Sequence, residues 1–218
     1  MPFPISHLMI GYEIMQQTDR IKNPYEFMLG SIAPDAVHHR PDFERSLKSK
    51  SHLCVGEEPW GMVTRNEWWH QNILDFLEAN KNHPNIDFIY GYCAHVLTDL
   101  QNNIKIWIPF RTNNGFTVGK GLSSRYHEES DKIDLELYHR PSRVEIWEIL
   151  NRNDAVDCSM TDAFEYEDLE KIKNHLLTVQ YVGRERQSLV GNTYVTMEVI
   201  DRFIEEAVQD IIETVYKK

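Results

Sequence analysis

His95 and Asp99 stand four residues apart in the segment Gly91-Tyr-Cys-Ala-His95-Val-Leu-Thr-Asp99. On a helix that spacing puts both side chains on one face, one turn from each other. The flanking residues are apolar, so this face points inward, and an inward imidazole beside an inward carboxylate is costly unless something satisfies both. A divalent metal does so, through imidazole nitrogen and carboxylate oxygen. A His-Asp hydrogen bond within a helix core is the competing reading. Four further segments carry residues of the same kind. Leu29-Gly-Ser-Ile-Ala-Pro-Asp35 sets an aspartate at a helix start, where a capping carboxylate is common, with His38 and His39 following. Lys50-Ser-His52 and Ile5-Ser-His7 each hold a lone histidine, and such residues are more often structural than ligating. His127 and Asp131 repeat the four-residue spacing, with Asp134 one further turn along the same face; a solvated charged helix is the alternative there.

The elements that must position these residues read as helices. In 193–216, Ile200, Phe203, Ile204, Ala207, Val208, Ile211, Ile212 and Val215 recur at steps of three and four, opposite a charged face. Ser142 and Glu145 have the capping-box spacing after Pro141 and predict a helix start. Further helices are predicted over 5–17, 63–79, 86–103 and 166–181, with a short one opening at Pro34 and Asp35. Segment 104–110 reads as one short strand and 111–124 as a loop. The expected fold class is all-α, a single-domain helical bundle over 1–218. All the motifs fall within 1–135, and 141–218 is a helical extension that completes the bundle.

Bulk properties narrow the function classes. A length of 218 residues suits one domain with a real core. The formal charge of -11 repels phosphate backbones, so nucleic-acid backbone binding is not expected. Three cysteines with no CxxC pair fit a disulfide framework poorly, and a reducing, cytoplasmic setting is the simplest reading. The opening Met-Pro-Phe-Pro-Ile-Ser-His lacks the features of a secretory signal. The most apolar stretch, 86–110, is interrupted by His95, Asp99, Asn102, Asn103 and Lys105, which excludes an ordinary membrane span. Cys54 and Cys93 lie two residues from candidate ligands, face elsewhere on a helix and are assigned to the core. Trp60, Trp68 and Trp69 are either packing anchors or the mouth of an apolar site.

Taken in order, His7, Gly-Ser-Ile-Ala-Pro-Asp35, Ser-His52, Gly-Tyr-x-x-His95-x-x-x-Asp99 and His127-x-x-x-Asp131 resemble the zinc-dependent phospholipase C family, in its small bacterial branch without a secretion signal. The resemblance covers roughly 1–135 and is most specific at Ala-Pro-Asp35 and at the His95–Asp99 helix. It implies the all-α bundle of the phospholipase C and P1 nuclease fold, with zinc in a cleft between helices. It implies metal ligands at His7, Asp35, His52, His95, Asp99, His127 and Asp131, with Asp35 also acting on water as general base. Secreted members carry a further histidine shortly after the aspartate, whereas Leu100-Gln-Asn-Asn-Ile-Lys-Ile offers none, so one or two ions are expected rather than three. His38 or His39 is the candidate substitute. Other divalent metals suit the same donors.

The activity implied is metal-dependent hydrolysis of a phosphoester, with a small phosphodiester or a phospholipid as substrate. The alternative outside catalysis is an inactive metal-binding helical scaffold. A metal-free helical interaction protein is a third reading. HD-type phosphohydrolases need adjacent His-Asp ligands, and the chain has no His-Asp dipeptide.

Overall fold

Helix 86–102 buries 14 of its 17 residues, and a helix of that kind has to be covered on every side. In the computed structural model, which describes residues 4–54, 58, 62–114 and 120–216, it is the axis of the molecule. The helices are α1 (Pro4–Gln17), α2 (Pro24–Gly30), α3 (Arg45–Ser51), α4 (Asn66–Ala79), α5 (Ile86–Asn102), α6 (Ile108–Asn113), α7 (Lys120–Tyr138), α8 (Arg143–Leu150), α9 (Tyr166–His175) and α10 (Met197–Tyr216). A 3-10 turn, Ala33–His39, joins α2 to the α3 region, and π-helical turns follow α5 (Asn103–Trp107) and α9 (Leu176–Gln180). No strand occurs among the described residues, and the fold is all-α as the periodicity predicts. The buried apolar side chains form one cluster that runs from Ile5 to Val215.

The covering of α5 is closest at α2. A Cβ added at Gly91 would lie 2.0 Å from the Phe27 carbonyl oxygen, and one added at Gly30 would lie 2.2 Å from the Phe88 oxygen. The two helices therefore cross backbone against backbone, a distance only glycine permits. Helix α10 turns the predicted stripe inward, with Phe203, Ile204, Ala207, Val208 and Ile211 buried and Glu205 and Glu206 exposed. Helix α1 is held at its start by α7. The Asp134 carboxylate accepts the Ser6 amide at 3.3 Å and the Tyr181 hydroxyl at 2.5 Å. This satisfies an amide that the first turn of α1 leaves without an intrahelical partner.

Four local expectations are corrected. Segment 104–110 is helical, not a strand: it comprises the π turn and the start of α6, and Asn103, Ile106 and Phe110 are buried at helical steps. Segment 111–124 is helical at both described ends, in α6 and from Lys120, while 115–119 lie outside the described residues. Ser142 and Glu145 form no capping box. Ser142 contacts Met9 sulfur, and Glu145 accepts the Tyr12 hydroxyl at 2.7 Å. The helix predicted over 193–216 begins at Met197, because Glu129 of α7 holds the preceding turn, taking the amides of Thr193, Tyr194 and Val195. No helix among the described residues is long and apolar enough to cross a membrane.

Candidate metal centre

Five predicted site residues meet where α1, α3, α5 and the Ala33–His39 turn converge. Asp99 and His95 come from α5, His7 from α1, Asp35 from the turn and His52 from the residue that ends α3. His7, His52, His95 and Asp99 are buried, and Asp35 is 17% exposed at the side chain. The donor atoms fall into two groups, His7 with His95 and Asp99, and Asp35 with His52 and His95.

The tautomers of two histidines are set by carbonyl groups. His95 Nδ1 lies 2.8 Å from the Ser31 oxygen, which can only accept, so this nitrogen carries the proton. His52 Nδ1 lies 3.0 Å from the Lys48 oxygen and 2.9 Å from the Ser51 hydroxyl, and the carbonyl favours a proton on that nitrogen. With that tautomer the two Nε2 atoms are acceptors, and they face each other at 3.3 Å. Two acceptors pointed at one another repel unless a cation stands between them. The two carboxylates surround the same point. His52 Nε2 is 3.3 Å from Asp99 Oδ2 and 3.4 Å from Asp35 Oδ1, while His95 Nε2 is 3.9 Å from Asp99 Oδ2 and 4.0 Å from Asp35 Oδ2. In a tetrahedral site with bonds of about 2.0–2.1 Å, neighbouring ligand atoms lie about 3.3 Å apart. The separations of His52 Nε2 from His95, Asp99 and Asp35 are close to that spacing, and those of His95 Nε2 from the two carboxylates are wider.

Unsatisfied atoms point the same way. Both oxygens of Asp99 and Nδ1 of His7 are buried with no hydrogen-bond partner. His7 stacks on His95 with ring centroids 3.7 Å apart, and its Nε2 is 3.5 Å from Asp99 Oδ1. Burial, followed by the Asp35 charge, pushes Asp99 up to about 8. Burial, followed by Lys48, takes His52 down to about 3, and burial lowers His7 and His95 as well. Burial would raise Asp35 too, but the Lys48 ammonium overcomes it and holds that carboxyl well below the usual range. Burial thus dominates over the His-Asp attractions, and the three imidazoles are neutral, the form that ligates metal.

No protein-family model, curated protein or solved structure matches this chain. The donor geometry therefore carries the functional argument by itself.

The remaining predicted ligands lie elsewhere. His127 and Asp131 belong to neither donor group. Asp131 pairs with Arg184, two guanidinium nitrogens reaching its oxygens at 3.3 and 2.6 Å, and His127 is exposed with its ring edge-on to Tyr126. A second ion would also have to share His95, whose single available nitrogen already faces His52. The described residues thus build two triads that share His95, one with Asp35 and His52 and the other with His7 and Asp99.

Trp69 is a packing anchor. It is buried, and its indole donates to the His52 carbonyl at 2.8 Å, while Asn72 donates to Leu53 and Tyr92 to Ser51. These bonds hold the His52 turn, where Leu53 adopts a positive φ of 55°. Trp68 is half-buried under Arg65, and Trp60 lies outside the described residues. Cys54 and Cys93 are core residues, as expected, and burial pushes the Cys54 thiol up to about 12. Asn103 spends its amide on Val63 and Asn66 rather than on the site. His39 sits against His175. Two participants were not anticipated. The Ser31 carbonyl has no side-chain signature. Lys48 does have one, since it stands four residues before His52, and its side chain reaches Asp35 at 3.0 Å.

Proposed function

We propose that this chain is a metal-dependent phosphoester hydrolase, similar in chemistry to the zinc-dependent phospholipase C family. The observation that supports the reading is the pair of carbonyl-fixed imidazoles whose Nε2 lone pairs oppose each other between two carboxylates. Asp35, His52, His95 and Asp99 would hold one divalent ion, with His7 beside Asp99. Two imidazoles and two carboxylates are a borderline donor set that suits zinc and also accepts manganese or iron. The ion would supply positive charge to the phosphoryl oxygens in the transition state and would make water more acidic.

The chain's own residues do the rest. Ser31 and Lys48 carbonyls fix ring orientation and raise the basicity of the ligating nitrogens. Asp35 is the one carboxylate of the set with exposed surface, so it is placed to orient a water beside the ion. The substrate is a small phosphodiester or a phospholipid headgroup. A catalytically silent metal scaffold is the second reading, favoured by the position of His127 and Asp131 outside the cluster.

Metal content by mass spectrometry separates these cases. One equivalent of zinc is expected in the untagged protein and none in the folded His95→Ala, Asp99→Ala double variant. Turnover of generic phosphodiesters by the loaded protein establishes the hydrolase, and a loaded protein inert on every phosphoester establishes the scaffold. A wild type that stays metal-free after incubation with zinc removes both.

A further inference from the structure

Of the three buried imidazoles, His7 is the one whose Nδ1 meets no backbone carbonyl. His52 and His95 each turn that nitrogen to a backbone oxygen, whereas Nδ1 of His7 is buried without a hydrogen-bond partner. Stacking on His95, with ring centroids 3.7 Å apart, sets the plane of the ring rather than its position along α5. The placement of His7 in the triad with His95 and Asp99 therefore depends on where α1 itself is held.

The residue before His7 is tied from outside the helix. Asp134 Oδ1 accepts the Ser6 amide at 3.3 Å and lies 3.5 Å from the Ser6 hydroxyl, while Asp134 Oδ2 accepts the Tyr181 hydroxyl at 2.5 Å. Ser6, Asp134 and Tyr181 are all buried, so a bond lost here is not replaced by bulk water. Tyr181 is held in its turn. Its ring stacks on Tyr138 of α7 with centroids 4.6 Å apart, and three residues further on Arg184 grips Asp131. Asp131 and Asp134 stand one turn apart on α7, so this face of the helix clamps the 181–184 turn and, through Tyr181 and Asp134, the start of α1. We propose that Tyr181 and Asp134 are positioning residues for His7: they fix where α1 begins, and so the placement of the His7 imidazole beside His95 and Asp99. This rests on the metal-centre reading and gives the part of the chain after Pro141, which carries no motif, a role at the centre through one hydroxyl group.

The test is a double-mutant cycle on the full chain, with zinc as probe by titration calorimetry. Tyr181→Phe removes one hydroxyl, His7→Ala removes the imidazole, and the double variant closes the cycle. The expected result is zinc affinity weaker by roughly tenfold or more in each single variant, with no further loss when Tyr181→Phe is added to His7→Ala. The visible spectrum of the cobalt(II)-loaded protein is the second readout, and Tyr181→Phe should shift it in the same direction as His7→Ala does. A loss of equal size from Tyr181→Phe in both backgrounds is a general structural effect and overturns the proposal. So does a Tyr181→Phe variant with the zinc affinity or the cobalt spectrum of the wild type. Unchanged zinc affinity in His7→Ala overturns the proposal alone, whereas wild type that takes no zinc overturns the metal centre as well. Should Tyr181→Phe or His7→Ala not fold, by circular dichroism, Asp134→Asn and His7→Gln take their places in the same cycle.

Discussion

Ser31 gives the centre a carbonyl oxygen and nothing else, yet that atom decides which nitrogen of His95 is available. At the scale of single residues, side-chain types were legible and backbone partners were not. His7, Asp35, His52, His95 and Asp99 could be named because imidazole and carboxylate announce their chemistry. The carbonyls that fix the tautomers belong to residues of any type. His127 and Asp131 show the converse: correct types at correct spacing, but α7 turns Asp131 to Arg184. Their neighbour Asp134 is the one that is deeply buried, and it serves the start of α1. Burial, despite the Tyr181 and Ser6 donors, pushes Asp134 up to about 8. A carboxyl raised on folding contributes stability that is complete below its ordinary value near 4 and is lost as pH climbs towards 8. Unfolding of wild type and Asp134→Asn in urea should therefore show a stability difference that moves against the wild type from pH 5 to pH 8. The slope is at most about 1.4 kcal/mol per pH unit. Parallel pH profiles for the two proteins would remove Asp134 as the titrating group.

At the scale of elements, the contact between α2 and α5 controls the site. The glycine in Gly91-Tyr-x-x-His95 lets α5 approach until the Ser31 carbonyl meets His95. Gly91→Ala would put a methyl 2.0 Å from a carbonyl oxygen, with only backbone to yield. Separation of the helices should cost about 3 kcal/mol or more and weaken zinc retention. Gly11→Ala meets the rotatable Ser31 hydroxyl at 3.0 Å and should cost far less. Thermal denaturation and metal content of both variants check this, and similar losses from the two would contradict it. Helices were the most legible part of the fold, because α5 and α10 carry long patterns. The misreading of 104–110 has a physical cause. Ile104, Ile106 and Ile108 alternate, which imitates a strand, but Ile104 is 39% exposed and burial follows 103, 106 and 110. The π turn shifts the helical register after α5, and no periodicity rule anticipates that extra residue.

At the scale of the molecule, four helical regions distant in sequence supply the donors, so an ion bound there ties them together only in the folded chain. Binding that excludes the unfolded state raises stability by about 2.7 kcal/mol at a hundredfold excess over Kd. For a chain of this size that is a rise in Tm of roughly 5–10 °C. Zinc should produce it, a chelator should reverse it, and a Tm indifferent to zinc would mean that the donors do not close on an ion. The net charge of -11 lies mostly on outer faces such as that of α10, and it bears on solubility rather than on the centre. The Gly30–Gly91 crossing has one more consequence, and it is mechanical. With no side chains between the two backbones there is nothing compressible there, so the wall of the centre formed by α2 and α5 is stiff. The opposite wall rests on short elements, the Ala33–His39 turn and the seven residues of α3, fastened by side-chain bonds. One wall is thus braced by backbone contact and the other by side-chain bonds, so the two resist displacement by different means.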